Sequence, residues 1–238
     1  MDAAVTTIST QGLVLAFAPA VIVIGILFRW TADARTAIYA TARMLIQLLL
    51  IGYVLVFIFE AEHPGVITAV LSVMVIAASW IAIRPLRKKT WRRYFDALIA
   101  ITLGGLLTLA LVSQAVIDVD PWFSPRYVVP LAGMIFAAAM NTVSLAAERL
   151  QAETDQGMPY VEARSVALHA ALIPVINSLF AVGLVSLPGM MTGQILAGIS
   201  PLVAAKYQIV VMTMLFGAAG ISAALYLLMA RRSLPRDG

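Results

Sequence analysis

Asn141, Ser144 and Glu148 stand at i, i+3 and i+7 in the stretch YVVPLAGMIFAAAMNTVSLAAERL, residues 127–150. On a helix that spacing puts an amide, a hydroxyl and a carboxylate on one face. Such a row can line a polar path, or an amide in it can hydrogen-bond a neighbouring helix as packing glue. Glu148 reads as an interfacial charge. Gly133 and Ala137, four apart, let another backbone approach closely. A second group of polar residues follows in HAALIPVINS, where Pro174 removes a donor and frees a carbonyl one turn earlier, with Asn177 and Ser178 directly after it. This is a hinge or pore-lining kink, or a proline that the helix simply tolerates. The third group is GLVSLPGMMTGQILAGISP, Gly183–Pro201. Met190 and Met191 offer a soft, adaptable surface, and Gln194 offers a donor and an acceptor. Pro188, Gly189 and Gly193 allow the backbone to break.

Other reactive side chains carry less. Glu60, Glu62 and His63 are acceptable ligands for a borderline metal ion, but solvated interfacial charge is the stronger reading. His169 has no second histidine at ligand spacing, and no metal is assigned. Arg43 and Gln47 share a face, where the arginine can snorkel to the membrane surface. The chain has no cysteine, which excludes disulfides and thiolate metal sites. A nucleotide-binding P-loop needs a lysine preceded by glycine. Lys88, Lys89 and Lys206 all lack it, so any ATP and Mg would sit on a separate subunit. Neither paired carboxylates nor clustered histidines lie within apolar segments, which argues against an enzyme.

The elements that position these residues are membrane helices. The chain of 238 residues is 62% hydrophobic and 12% charged, against about 25% charged in soluble domains. Uncharged stretches cover 3–28, 64–83, 97–117, 127–147 and 207–230, and 36–59 is broken only by Arg43. Each is long enough for the roughly 20 residues that cross a bilayer. The expected fold is an all-α polytopic membrane protein with seven spans, roughly 9–28, 38–59, 64–83, 97–117, 127–147, 168–187 and 206–229. They form one domain over 1–238, with a cytoplasmic loop at 148–169. With the N-terminus outside and the C-terminus cytoplasmic, 14 of the 16 Lys and Arg fall inside, as the positive-inside rule asks. The basic balance therefore reads as topology and not as nucleic-acid binding. The first apolar stretch lacks a positively charged leader and is expected to remain as an anchor. Gly189–Pro201 then falls at the outer end of the sixth span. Irregular backbone at that depth needs cover from protein or water, so the segment is expected to lie buried in the bundle or a dimer, as an outer gate or a dimer contact.

The stretch AALIPVINSLFAVGLVSLPGMMTGQILAGISPLVAAKYQIVV, residues 170–211, resembles the FetB-type (UPF0014) permease family of ABC transporters. ARMLIQLLLIGYVL, residues 42–55, and VPLAGMI with Met140 and Asn141 resemble it too. The likeness covers most of the chain from the second span onward. Two departures stand out: Ala137 and Ala138 replace the family's Gly-Asn, and YVEARSVAL lacks the Leu-Gly-Ala part of the family's coupling region. The resemblance implies a permease that exports iron or a related metal from the bacterial inner membrane. Its partner would be a FetA-type ATP-binding subunit, and two copies of the chain would pair. It also implies a coupling segment around Pro159, Tyr160, Glu162 and Arg164. On that reading the substrate path runs past Asn141, Ser144, Asn177, Met190, Met191 and Gln194, with Pro174, Pro188, Gly189 and Gly193 as hinge and gate. The rival readings are an ion-coupled carrier or channel, which usually needs buried acids, and a non-transport membrane assembly subunit.

Overall fold

The computed structural model describes residues 8–31, 34–60 and 63–233. Glu62 of the outer carboxylate pair and Arg236 of the basic tail lie outside them. Among the described residues the chain is helical throughout, with seven segments long and apolar enough to cross a membrane. It divides into two compact units, Met1–Glu60 and Ala61–Gly238.

The first unit holds α1 (Thr10–Leu15), α2 (Ala18–Trp30) and α3 (Ala34–Phe59). Ser9 caps α1 by accepting from the Gly12 N–H at 3.1 Å. Pro19 then opens α2 in its first turn, where a missing N–H costs nothing. Arg29 lies in the last turn of α2, favourably placed against the partial negative charge of a helix C-terminus. On α3, with the Gln47 amide oxygen turned toward the guanidinium, Arg43 donates from Nε and Nη2 at 3.1 and 3.3 Å. The two residues thus satisfy each other along one helix face.

The second unit holds α4 (Pro64–Ala82), α5 (Trp91–Ala110, continued by a π-helical turn at Leu111–Val116), α6 (Pro125–Asp155), α7 (Tyr160–Ala181), α8 (Gly189–Leu196) and α9 (Pro201–Ala230). Helix α6 is its axis, packed against α4, α5, α7 and α9. Helix–helix contact here depends on small residues. A Cβ on Gly104 would collide with the Ser222 hydroxyl and sit 3.0 Å from the Ser222 backbone nitrogen. A Cβ on Gly105 would sit 2.7 Å from the Phe136 ring. Adjacent glycines on α5 therefore seat α9 on one side and α6 on the other.

The helix ends differ from the sequence expectation, and capping chemistry accounts for most of the difference. α5 starts at Trp91 instead of 97 because Thr90 accepts from the Arg93 N–H. α9 starts at Pro201 instead of 206, with Ser200 accepting from the Val203 N–H and proline in the first turn. The segment 148–169 is mostly helix: α6 runs on to Asp155, α7 begins at Tyr160, and Gly157 turns the chain between them with φ +85°. α7 ends at Ala181 rather than 187, since Gly183 adopts φ +83° in a tight turn joining Val182 and Ser186. The expectation of broken backbone over Gly189–Pro201 is corrected in part. Gly189–Leu196 is the regular helix α8, and the breaks flank it.

Gly104→Ala should lower the stability of the detergent-solubilised protein by about 1–3 kcal/mol, the usual cost of overpacking. Gly217→Ala, on α9 with nothing within 4 Å of its Cβ position, should leave it unchanged or slightly raised. Thermal unfolding of the two variants side by side checks the contrast.

Candidate functional site

Helix α6 turns its apolar side inward and leaves the predicted polar row outside. Thr142, Val143 and Ala146 are buried, while Asn141 and Glu148 are exposed and Ser144 is half-buried. Helix α7 packs through a stripe of alanines, Ala163, Ala167 and Ala171. His169 and Asn177 lie off this stripe and are exposed, and Pro174, which continues the line of the stripe past Ala171, is exposed as well. The helix runs unbroken through Pro174, and the Ser178 hydroxyl donates back to the Pro174 carbonyl at 2.9 Å. The two helices are antiparallel about the turn at 156–159. Counted from that turn at about 1.5 Å per residue, Asn141 and Pro174 each lie about 21 Å along their helices. Asn177 is one turn further, so the structure brings the two amides to neighbouring depths. No hydrogen bond joins them among the described residues.

The α8 segment is not buried within the single chain, so of the two expected covers, bundle or dimer, the chain itself does not supply one. Met190, Met191 and Gln194 are half-buried, and α8 packs chiefly on α9. In the turn before it Leu184 is 90% exposed and Val185 85%. Pro188 precedes the first turn of α8 as its N-cap, and open space lies beyond the Cβ positions of Gly189 and Gly193. Two amide oxygens in this half of the unit are buried and without a hydrogen-bond partner among the described residues: Gln194 Oε1 and Gln208 Oε1. Gln208, on α9, is only 5% exposed. A buried, unpaired amide is costly, so an acceptor without a donor is a group awaiting one. Sequence reasoning missed Gln208 as a site residue, although YQI was part of the motif. The available signal was an amide within an apolar helix.

At the opposite end, where α4 turns into α5 and α6 into α7, polar groups are clamped together. Gln151 Oε1 accepts from the Arg87 N–H at 3.3 Å and from Arg93 Nη1 at 3.5 Å. Arg93 Nη1 also donates to the Lys88 carbonyl at 2.9 Å. Arg87 faces Asp155 at 4.0 Å, and buried Glu153 pairs with Arg149 one turn back. A polar groove of about 290 Å³, lined by Arg87, Glu148, Gln151 and Asp155, opens beside this clamp. Tyr160 turns inward: its hydroxyl donates to the Leu227 carbonyl at 2.6 Å, and the guanidinium carbons of Arg164 and Arg231 lie 5.7 and 5.6 Å from its ring centre. Leu227 is in the last turn of α9, where carbonyls lack helical partners, so Tyr160 caps α9 from α7. Pro159 and Glu162 stay exposed beside it. The role of Gln151 was invisible in sequence, because its partners lie 58 and 64 residues away.

His63 at the start of α4 uses Nδ1 to accept from the Gly65 N–H at 3.1 Å. It therefore acts as a helix cap. Among the described residues no three His, Asp or Glu side chains converge as a metal site.

Seven apolar helices of membrane length, those of the second unit packed through glycine and alanine and tied by polar groups at one end, define a multi-pass helical membrane protein. The chain belongs to the uncharacterised protein family UPF0014, whose sequence model matches residues 10–234. It is 34% identical over 203 residues to the probable iron export permease protein FetB of Escherichia coli, covering 79% of this chain and 77% of that one. Protein ALUMINUM SENSITIVE 3 of Arabidopsis thaliana is 36% identical over 200 residues, 78% of this chain and 72% of its own. The UPF0014 membrane protein slr1647 of Synechocystis is 35% identical over 192 residues, 74% and 73% of the two chains. No solved structure matches the chain.

Gln208→Leu should fold as well as the parent or better, gaining up to about 1–3 kcal/mol by removing an unsatisfied buried acceptor. A fall in unfolding temperature would show that the amide is instead a packing hydrogen bond.

Proposed function

We propose that the chain is the membrane permease subunit of an ABC-type exporter for iron or a related metal, driven by a separate ATP-binding subunit. The observation that carries this reading is the 34% identity to the E. coli probable iron export permease over 79% of the chain. The helical hairpin at 148–169 supports it, because an ATP-driven permease needs a rigid element through which a partner's motion reaches the membrane helices. Here Pro159 and Glu162 offer the exposed contact. Tyr160 passes the displacement to α9 through its hydroxyl bond to Leu227 and the Arg231 guanidinium over its ring, while Arg164 braces the same ring from within α7. ATP and Mg belong to the partner, a FetA-type subunit. The charge distribution supports an N-terminus outside and a C-terminus inside the bacterial inner membrane.

In this reading the polar faces of α6 and α7, with Asn141, Ser144 and Asn177, line the path, and the unpaired acceptor of Gln194 lies near its outer end beside Met190 and Met191. An amide facing hydrocarbon is expensive, and two copies facing one another across these surfaces would relieve that cost. A symmetric pair also meets the need for two membrane halves. Pro174 serves as the hinge, and Pro188, Gly189 and Gly193 form the outer gate or the dimer contact.

Co-expression with an ATP-binding partner should give a complex whose ATP hydrolysis rises with iron, and iron efflux from cells carrying it. Tyr160→Phe should keep the complex while lowering iron-stimulated hydrolysis several-fold. The absence of both complex and stimulated hydrolysis would end the proposal. Gly193→Leu supplies a separate check. Its side chain has free space within the single chain, so insertion and stability should survive while transport is lost; unchanged transport would remove α8 from the gate.

A further inference from the structure

The α4–α5 hairpin carries a second feature that the transport reading does not use. A groove of about 310 Å³ runs between the two helices, floored by Leu71, Val75 and Ile76 of α4 and Leu98, Thr102 and Leu106 of α5. This lies at the lower end of the roughly 300–1,000 Å³ typical of small-ligand sites. Its α4 hydroxyls are satisfied within their own helix: Thr68 donates to the Pro64 carbonyl at 3.0 Å and Ser72 to the Thr68 carbonyl at 2.8 Å. The groove is therefore suited to hydrocarbon.

At one end it meets a ring of aromatics. Trp80, one turn beyond Ile76, packs edge-on against Tyr94, one turn before Leu98, with ring centres 6.0 Å apart, and Trp91 packs on Tyr94 at the same distance. Trp91 is 73% exposed. Exposed tryptophan and tyrosine at the end of a membrane helix mark headgroup depth. Just beyond them the linker 84–90 and the start of α5 present Arg84, Lys88, Lys89 and Arg92, all exposed. This linker is held in place, since Ile83 and Leu86 are buried, Arg93 grips the Lys88 carbonyl and the Arg87 N–H is tied to Gln151. The only carboxylate on the hairpin is Asp96, half-buried one turn along α5.

An apolar slot, an aromatic ring at headgroup depth and four exposed cations on a held backbone follow one another along a single hairpin. We propose that this hairpin is a binding site for one anionic phospholipid, with an acyl chain in the α4–α5 groove and the phosphate among Lys88, Lys89 and Arg92. An acidic protein partner could meet the cations but would have no use for the slot that continues from them into the membrane. The site stands independently of the export reading.

The test uses the purified, delipidated full chain in detergent, titrated with phosphatidylglycerol and with phosphatidylcholine of the same acyl chains. Thermal unfolding and native mass spectrometry are the readouts. Phosphatidylglycerol should bind at one site and raise the unfolding temperature more than phosphatidylcholine does. Each basic residue near an anionic headgroup is worth roughly fivefold, so Lys88→Gln/Lys89→Gln/Arg92→Gln should weaken phosphatidylglycerol on the order of a hundredfold. The triple variant should leave phosphatidylcholine unchanged. Ile76→Trp, which fills the slot with the cations intact, should also remove the single-site binding. Equal responses of the parent protein to the two lipids would overturn the proposal. So would a triple variant that keeps its lipid selectivity but loses an ATP-binding partner, an outcome that assigns the cations to protein docking.

Discussion

The close approach of α5 to its neighbours at Gly104 and Gly105 is the constraint on which the second unit depends. Inside a bilayer the lipid is as apolar as the side chains, so burial gives little drive for one helix to meet another. What remains is close packing, and close packing needs surfaces without protruding atoms. Gly104 lets α9 come near enough that Ser222 touches the α5 backbone, while Gly105 admits the buried ring of Phe136 from α6. The same logic extends to α7, whose buried residues are three alanines spaced one turn apart. Large side chains such as Leu107, Leu145, Phe180 and Leu228 are left on the outside, where lipid can surround them.

Packing of this kind holds helices together without tying their ends, and the polar chemistry is concentrated where they leave the apolar zone. The Gln151 amide oxygen serves two arginines at once, fixing the α4–α5 linker to α6. Tyr160 then fixes α7 to the last turn of α9. One of these bonds comes from the Arg87 backbone N–H and the other from the charged Arg93 guanidinium, so one amide holds both the linker and the first turn of α5. The result is an end at which four helices are cross-linked by side chains to carbonyls and by carboxylates to guanidinium groups.

The sequence made the membrane spans legible because charge is excluded from hydrocarbon so strictly that uncharged runs outline them. The ends of the helices were less legible. Thr90, Ser200 and Pro201 set the starts of α5 and α9 through local capping, which a count of apolar residues passes over. Gly104 and Gly105 could not be told from Gly25 and Gly52, since all four sit in apolar runs, yet the last two have nothing within 4 Å of their Cβ positions. Only the partner helix distinguishes a packing glycine from an idle one. Tyr160 was singled out for its place in the coupling segment, but the inward direction of its hydroxyl depends on Leu227, 67 residues away. The amides Asn141 and Asn177 were read as polar features of their helices, and their exposure became visible only in the folded unit.

The two ends of the second unit are therefore unlike in kind. At the α6–α7 turn Gln151 and Tyr160 find their partners within the chain, and moving one helix means breaking those hydrogen bonds. Toward α8 the chain offers glycines with empty space beside them, exposed leucine and valine, and two buried amide oxygens with no donor among the described residues. Regions with few packed contacts and unsatisfied groups are those that open at low cost. In the export reading proposed above, a displacement applied at the clamped end is taken up in the turns that flank α8. In those turns Gly183 and Gly198 hold positive φ, at +83° and +90°, a conformation that glycine takes without the strain a side chain would add.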